Sequence, residues 1–183
     1  MLYFFDKRQS GLCQIKDAIL VTYQSFHINL IRIQKMGKVV EIATRIESRA
    51  PMVVYASAKV SFDHGIGDDS RGLVKGDRQV TVMTKECWNA VCSELERKLH
   101  WTTRRANIMI EGIDLKESKG MILKIGSFYL EITGELTPCE RMDEQFVGLK
   151  KALTPDWRGG VTCKILNEGI VRENDKVIVM ERE

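Results

Sequence analysis

The chain has 183 residues, of which 44% are hydrophobic and 29% are charged, enough for one domain with a substantial core. No apolar run approaches the roughly 20 residues that span a bilayer, so a membrane is not expected as a partner. Residues 1–35 hold five basic and two acidic residues, while the remainder holds 23 of each sign, and this neutral body argues against nucleic acid as a partner.

The first 35 residues show neither a helix period nor a strand period. Their order also differs from that of a secretory signal, which has a basic start followed by a clean apolar run. Met36 and Gly37 are then followed by a strand-like run, as at the beginning of a protein. We therefore expect a loosely packed N-terminal extension over residues 1–35 and the functional domain over residues 36–183.

From Met36 onward the dominant pattern is that of β-strands, which are rich in valine and bounded by turn residues. The predicted strands cover residues 38–44, 52–60, 79–83, 107–111, 121–133, 161–166 and 176–180. Gly126 and Ser127 divide the longest run into a hairpin. Many short strands with few helices predict a mostly β fold, a closed or nearly closed barrel with peripheral helices.

Two helices are predicted. Thr84 caps the first, and Arg97 and Lys98 are placed in its last turn, where they suit the helix dipole. Its apolar face has five members at helical spacing, which are Trp88, Val91, Cys92, Leu95 and Leu99. The second helix is predicted over residues 143–153.

The glycine-rich loop over residues 64–72 contains Gly67 and Gly72 at the spacing of the two P-loop glycines. The residues that follow are Leu73 and Val74, and not the lysine and hydroxyl residue that contact phosphate and magnesium. Turn formation is therefore favoured over nucleotide binding.

Five cysteines without short repeated spacings indicate free thiols and a reducing, cytoplasmic location. Cys87 and Cys92 are five residues apart on a predicted helix, so they point in different directions and are badly placed to share a metal ion. Cys92 and Cys163 are expected to have structural roles, and Cys13 belongs to the N-terminal extension.

Cys139 differs from the other cysteines because it follows a predicted strand and precedes a predicted helix. Pro138 fixes its own backbone angle and biases Thr137 toward extended geometry, which places the thiol at a turn. A helix that begins near Glu140 would favour the thiolate, and Arg141 would add positive charge. The local pattern fits a reactive thiol and an idle one equally well.

The segment around Cys139, residues 131–142, resembles the cysteine motif of MOSC domains, the module related to the C-terminal part of molybdenum-cofactor sulfurases. Further segments resemble family landmarks in the family's order, and they are residues 76–82, 101–107, 111–115, 158–161 and 169–179. The resemblance covers residues 37–180. It departs from the family pattern at Asp68, where a glycine is expected, and this puts only the local turn in doubt.

The resemblance implies a β-barrel-like domain of the stand-alone bacterial type with a functional cysteine. In sulfurases the domain serves sulfur transfer beside a pyridoxal-phosphate desulfurase domain, and in amidoxime-reducing relatives the cysteine ligates molybdenum. By that analogy Cys139 is the catalytic residue and metal ligand, and molybdopterin, the molybdenum cofactor, is the cofactor. Arg105 is assigned to the pterin phosphate and Asn107 to a polar contact with the cofactor. The remaining cofactor-binding candidates are Arg78, Thr137 and Arg158, although for Arg78 and Arg158 a solvated position or a salt bridge at the end of the barrel is favoured over cofactor binding.

Three functions stay open after the sequence. The first is a cofactor-binding module or small molybdenum-dependent reductase of N-hydroxylated compounds, which would take electrons from another protein because no ferredoxin-like cysteine cluster is present. The second is a persulfide sulfur carrier for metal–sulfur cluster or cofactor assembly, which would take sulfur from a donor protein. The third is a binding domain without turnover.

Overall fold

The structure, a computed structural model, describes residues 34–182. The predicted extension over residues 1–35 lies almost entirely outside the described residues, as does Cys13, so its loose packing stays a prediction. The first strand already begins at Gln34 and therefore runs through the expected domain start at Met36.

Short strands dominate the described part of the chain. They are β1 (Gln34–Thr44), β2 (Val53–Tyr55), β3 (Ser57–Ser61), β4 (Gly65–Ile66), β5 (Val80–Thr84), β6 (Ile108–Glu111), β7 (Ile122–Ile125), β8 (Phe128–Glu135), β9 (Val161–Ile165), β10 (Gly169–Arg172) and β11 (Lys176–Met180). The helices are α1 (Lys85–Glu94), α2 (Arg141–Gln145) and α3 (Leu149–Leu153), with 3-10 turns at Trp101–Arg104 and Pro155–Trp157.

Seven strands close into a barrel in the order β11-β7-β8-β9-β5-β6-β1, and β11 pairs back onto β1. Neighbouring barrel strands are antiparallel except β5 and β6, which are parallel. β2 pairs with β1, and a smaller sheet has the order β10-β3-β4. The predicted mostly β, barrel-like fold is confirmed.

The barrel interior is filled by every second side chain of its strands, as the period of a half-buried strand requires. On β8, Phe128, Leu130 and Ile132 are fully buried while the residues between them are partly exposed. The predicted hairpin forms between β7 and β8, and Gly126 adopts the positive φ of 54° that its turn requires. No helix within residues 34–182 is long and apolar enough to cross a membrane.

The first helix begins as predicted and ends early. The Thr84 side chain caps α1, but the helix stops at Glu94, so the placement of Arg97 and Lys98 in its last turn is wrong. The cause lies at Glu96, which adopts a left-handed φ of 52° and turns the chain out of the helix.

The predicted helix over residues 143–153 is two helices. Phe146 is extended and Gly148 adopts a φ of 86°, and together they separate α2 from α3. The Asp143 carboxylate accepts a hydrogen bond from the Lys150 amide over 2.8 Å and so holds the two helices together. Both pack with α1 around a second apolar cluster that includes Trp88.

Candidate functional site

A cleft of about 460 Å³ contains Cys139, and half of its twelve lining residues are arginines, while none is acidic. The arginines are Arg45, Arg71, Arg78, Arg104, Arg105 and Arg141. They come from separate loops before β5, before β6 and after β1, and from the first turn of α2. We call this site the arginine cleft.

The Cys139 thiol is exposed, whereas the loop that carries it is anchored on both sides. Upstream, the Leu136 amide donates a hydrogen bond to the Gly160 carbonyl over 2.8 Å, and downstream the Met142 amide donates to the Cys139 carbonyl over 2.9 Å. The expected helix does begin here, at Arg141, but it has five residues and therefore only a small dipole. Positive charge around the thiol comes mainly from the arginines.

Arg104 connects the Cys139 loop to the rest of the site. Its side chain is only 4% exposed. The guanidinium donates to the Leu136 carbonyl over 2.6 Å and to the Gly159 carbonyl over 2.9 Å. Burial, together with the positive charge of Arg78, lowers the pKa of Arg104 to about 10. Arg104 is thus a buried cation bonded to carbonyl dipoles and to no described carboxylate.

Arg105 and Arg78 also lie close to other positively charged side chains. Burial lowers the pKa of Arg105, and the nearby charges of Arg45 and Arg141 lower it further, while the Asp69 carboxylate acts in the opposite direction. Burial of part of the Arg78 side chain likewise lowers its pKa, with added repulsion from Arg71 and Arg45, while Cys139 acts in the opposite direction. Mutual repulsion of this kind would be relieved by a bound anion.

Several guanidinium groups in the cleft have free donors. Within residues 34–182, the side chains of Arg71, Arg78 and Arg141 form no hydrogen bond and no ion pair. The Nε of Arg45 is buried and lacks a partner among the same residues. Arg105 uses one nitrogen, which donates to the Ala50 carbonyl over 2.9 Å.

Four of the sequence-predicted site residues come together, because Cys139, Thr137, Arg78 and Arg105 all line the arginine cleft. Arg45, Arg71 and Arg104 also line it, and sequence reasoning missed them. Arg104 alone carried a signal, since it lies in the family-like segment 101–107.

Asn107 and Arg158 do not line the cleft. Asn107 is 2% exposed, and its Oδ1 accepts hydrogen bonds from the amide and the hydroxyl of Thr81 over 3.1 and 2.8 Å. Arg158 forms an ion pair with Glu94 over 2.5 Å. The structure therefore gives each of them a partner within the protein, and direct contact with a cofactor stays a prediction for both.

Comparisons with known proteins agree with this architecture. A family model described as the MOSC domain matches residues 58–178. The YuaD protein of Bacillus subtilis has a similar structure, with a TM-score of 0.69 and 16% identity over 81% of this chain and 97% of that chain. YiiM from Geobacillus stearothermophilus has a TM-score of 0.64 and 16% identity over 80% of this chain and 76% of that chain. YiiM from Escherichia coli has a TM-score of 0.59 and 13% identity over 80% of this chain and 71% of that chain. The sequence has no significant match among curated proteins.

Proposed function

The chain belongs to the MOSC domain family, and from that premise we propose that it binds the molybdenum cofactor in the arginine cleft with Cys139 as the metal ligand. Membership supports a role linked to molybdenum cofactor or to sulfur at the level of the family. The observation that carries the proposal for this chain is an exposed thiol in a cleft lined by six arginines and no carboxylate.

The donor set of the cleft fits this cofactor. Among the described residues no group of three or more His, Cys, Asp and Glu side chains could hold a metal ion by itself. A metal at Cys139 would therefore need most of its ligands from a cofactor, and a soft thiolate is a suitable ligand for such a metal. The cofactor's phosphate is an anion that guanidinium groups bind through paired hydrogen bonds.

Four residues of the cleft then have a proposed task. Cys139 would hold the metal, Arg105 and Arg78 would bind the phosphate, and the Thr137 hydroxyl would make a further polar contact. When bound, the cofactor would supply the redox chemistry by which amidoxime-reducing relatives reduce N-hydroxylated compounds. An electron-transfer protein would be the partner of such a reductase.

A persulfide sulfur carrier is the second candidate, and the position of the cysteines favours it. Within residues 34–182, Cys139 is the only cysteine that lines the arginine cleft. Cys163 is buried in the barrel, and this burial raises the pKa of its thiol. A persulfide on Cys139 would therefore not be attacked by Cys163 to give an internal disulfide. The cytoplasmic location predicted from the sequence would keep such a thiol reduced.

One purification separates these functions. The wild type, Cys139→Ala and the control Cys87→Ala are isolated from cells that make the cofactor, and bound molybdenum and intact mass are measured. Stoichiometric molybdenum in the wild type and the control, absent from Cys139→Ala, supports the cofactor-binding function. Extra sulfur mass on Cys139 without metal supports the carrier. If neither is found, both proposals fail and a binding domain without turnover is favoured.

A further inference from the structure

We infer that the arginine cleft binds a small anionic sulfane-sulfur donor of the thiosulfate type, and that Cys139 takes the outer sulfur of this donor directly. The inference rests on the sulfur-carrier form of the proposed function and goes beyond it by naming the class of substrate. That class is a doubly charged oxyanion with one transferable sulfur atom.

The charge of the cleft selects an anion over a neutral donor. Six guanidinium groups lie around one thiol, and the residues that line the cleft include no carboxylate. Burial and the neighbouring arginines lower the pKa values of both Arg78 and Arg105, so a neutral ligand would leave this repulsion in place. A dianion would relieve it.

The available donors fit an oxyanion. In the part of the chain that the structure describes, Arg71, Arg78 and Arg141 have unengaged side chains, and the buried Nε of Arg45 lacks a partner. Each guanidinium can give two parallel N–H bonds to two oxygens of one anionic group. The three oxygens of a sulfonate-like group would therefore find donors from several directions, which leaves its outer sulfur free to meet the thiol.

The transfer needs no further reactant. The Cys139 thiolate attacks the outer sulfur of thiosulfate and forms a new S–S bond. The S–S bond of thiosulfate breaks, and its electron pair leaves with sulfite, so that a cysteine persulfide anion and a sulfite dianion replace a thiolate and a thiosulfate dianion. Atoms and charge balance, and the arginines bind an oxyanion of the same charge before and after the step.

The experiment uses the reduced full chain and thiosulfate alone. Loading is measured as the gain of one sulfur atom in intact mass, assigned to a peptide, together with the release of sulfite. We expect loading of the wild type and none of Cys139→Ala. Arg78→Gln and Arg141→Gln should each raise the half-saturating thiosulfate concentration about tenfold, which corresponds to about 1.4 kcal/mol of lost binding.

Two controls give the result its meaning. Arg182→Gln removes an arginine that pairs with Glu131 and does not line the cleft, so it should load like the wild type. Arg78→Lys keeps the charge and should fall between the wild type and Arg78→Gln. Equal urea midpoints of the variants ensure that folded proteins are compared. If the Gln variants at 78 and 141 load like the wild type, recognition by the arginine cleft is refuted.

A second sulfur source distinguishes a failure of this inference from a failure of the sulfur-carrier function. A pyridoxal-phosphate cysteine desulfurase, supplied with cysteine, offers sulfur from a protein donor in place of a small anion. If the desulfurase loads Cys139 and thiosulfate does not, the inference fails and the sulfur carrier stands. If neither source loads Cys139, the carrier function fails as well.

Discussion

The parallel strands β5 and β6 carry unlike surfaces where they begin and where they end. Arg78 precedes β5, Arg104 and Arg105 precede β6, and all three line the arginine cleft. A second, smaller groove of about 290 Å³ forms where the same strands end. It is lined by Thr84, Glu86, Cys87, Gly112, Ile113 and Asp114.

Each of the two surfaces contains a cysteine, yet the charges around the two cysteines are opposite. Cys87 shares its groove with Glu86 and Asp114, and the lysines nearby are paired, as in the bond of 2.9 Å between Lys85 and Glu111. Cys139 is surrounded by arginines that have no carboxylate partner among the cleft residues. The charges on the loops around a thiol, more than the thiol itself, therefore determine which ligands can approach it.

The first prediction concerns the charge preference of alkylation at the two cysteines. Iodoacetate is an anion and iodoacetamide is neutral, so the ratio of their rates reports the potential around each thiol. A cleft that is lined by charges of one sign raises the local concentration of counter-ions about tenfold or more. We therefore expect the ratio of the iodoacetate rate to the iodoacetamide rate to be at least about tenfold higher at Cys139 than at Cys87. Peptide mass spectrometry measures both sites in one sample.

The matched variant is Arg78→Gln combined with Arg141→Gln, which should move the ratio at Cys139 toward that at Cys87 and leave Cys87 unchanged. Salt should have the same effect by screening. Equal ratios at the two cysteines of the wild type would contradict the electrostatic contrast itself.

The second prediction concerns Arg104, which supports the arginine cleft from below the surface. Arg104→Met should lower the free energy of unfolding by about 3 kcal/mol, because the carbonyls of Leu136 and Gly159 lose a charged donor. Arg104→Lys keeps the charge without the two-pronged geometry and should lose about half as much. Urea denaturation measures the change, and hydrogen exchange over residues 136–139 should accelerate in Arg104→Met. Wild-type protection there would rule out its role in holding the Cys139 loop.

Much of the fold could be predicted because its signals are local. The alternation of β8 and the glycine of the hairpin turn are readable from neighbouring residues alone. β4 has two residues and no period to detect. The predicted strand over 52–60 is two strands because β2 pairs with β1 and β3 pairs with β10, and these partners are distant in sequence.

The candidate site was predictable only in part, for the same reason. Each predicted residue that lines the cleft lies in a motif that can be recognised within one short segment. These residues are Cys139 and Thr137 in one segment, Arg78 in a second and Arg105 in a third. Arg45 and Arg71 lie on other loops, and only closure of the barrel brings them to the thiol, so no local pattern marks them. Proximity in sequence also does not determine where a side chain lies: Asn107 follows Arg105 closely, but its side chain binds Thr81 inside the protein while that of Arg105 lines the cleft.

Substitutions at Asn107, which precedes β6, and at Thr84, the last residue of β5, compare how much the two ends of these strands contribute to stability. Asn107→Ala leaves the buried Thr81 amide and hydroxyl without their acceptor and should cost about 2 kcal/mol of unfolding free energy. Thr84→Ala, the matched variant beside the groove, removes the cap of α1 and should cost about 1 kcal/mol. Urea denaturation gives both values. Molybdenum per folded chain should stay at the wild-type level in Asn107→Ala, whereas a loss of molybdenum per folded chain would support the predicted cofactor contact.

The smallest effect is expected at Glu111, the last residue of β6, whose carboxylate pairs with Lys85 over 2.9 Å and with Lys38 over 3.3 Å. Hydrogen bonds from these two lysines lower the pKa of Glu111 below its ordinary value of 4.5. Since the folded-state pKa is the lower one, the stabilisation is present above the unfolded pKa and is lost as the pH falls through the folded pKa. Glu111→Gln should therefore shift the urea midpoint slightly downward at neutral pH, and the difference from the wild type should vanish in acid and in about 1 M salt.

A difference that persists in acid would mean that Glu111 acts through packing and not through charge. The same titration sharpens the contrast between the surfaces. Beside the groove, protonation of Glu111 breaks its pairs with Lys85 and Lys38, so acid weakens the fold there. The residues that line the arginine cleft include no carboxylate to protonate, so acid has no ion pair to break among them, and a bound anion would offset part of their charge. We therefore expect stabilisation of the cleft to follow the concentration of an anionic ligand, whereas stabilisation beside the groove should follow pH.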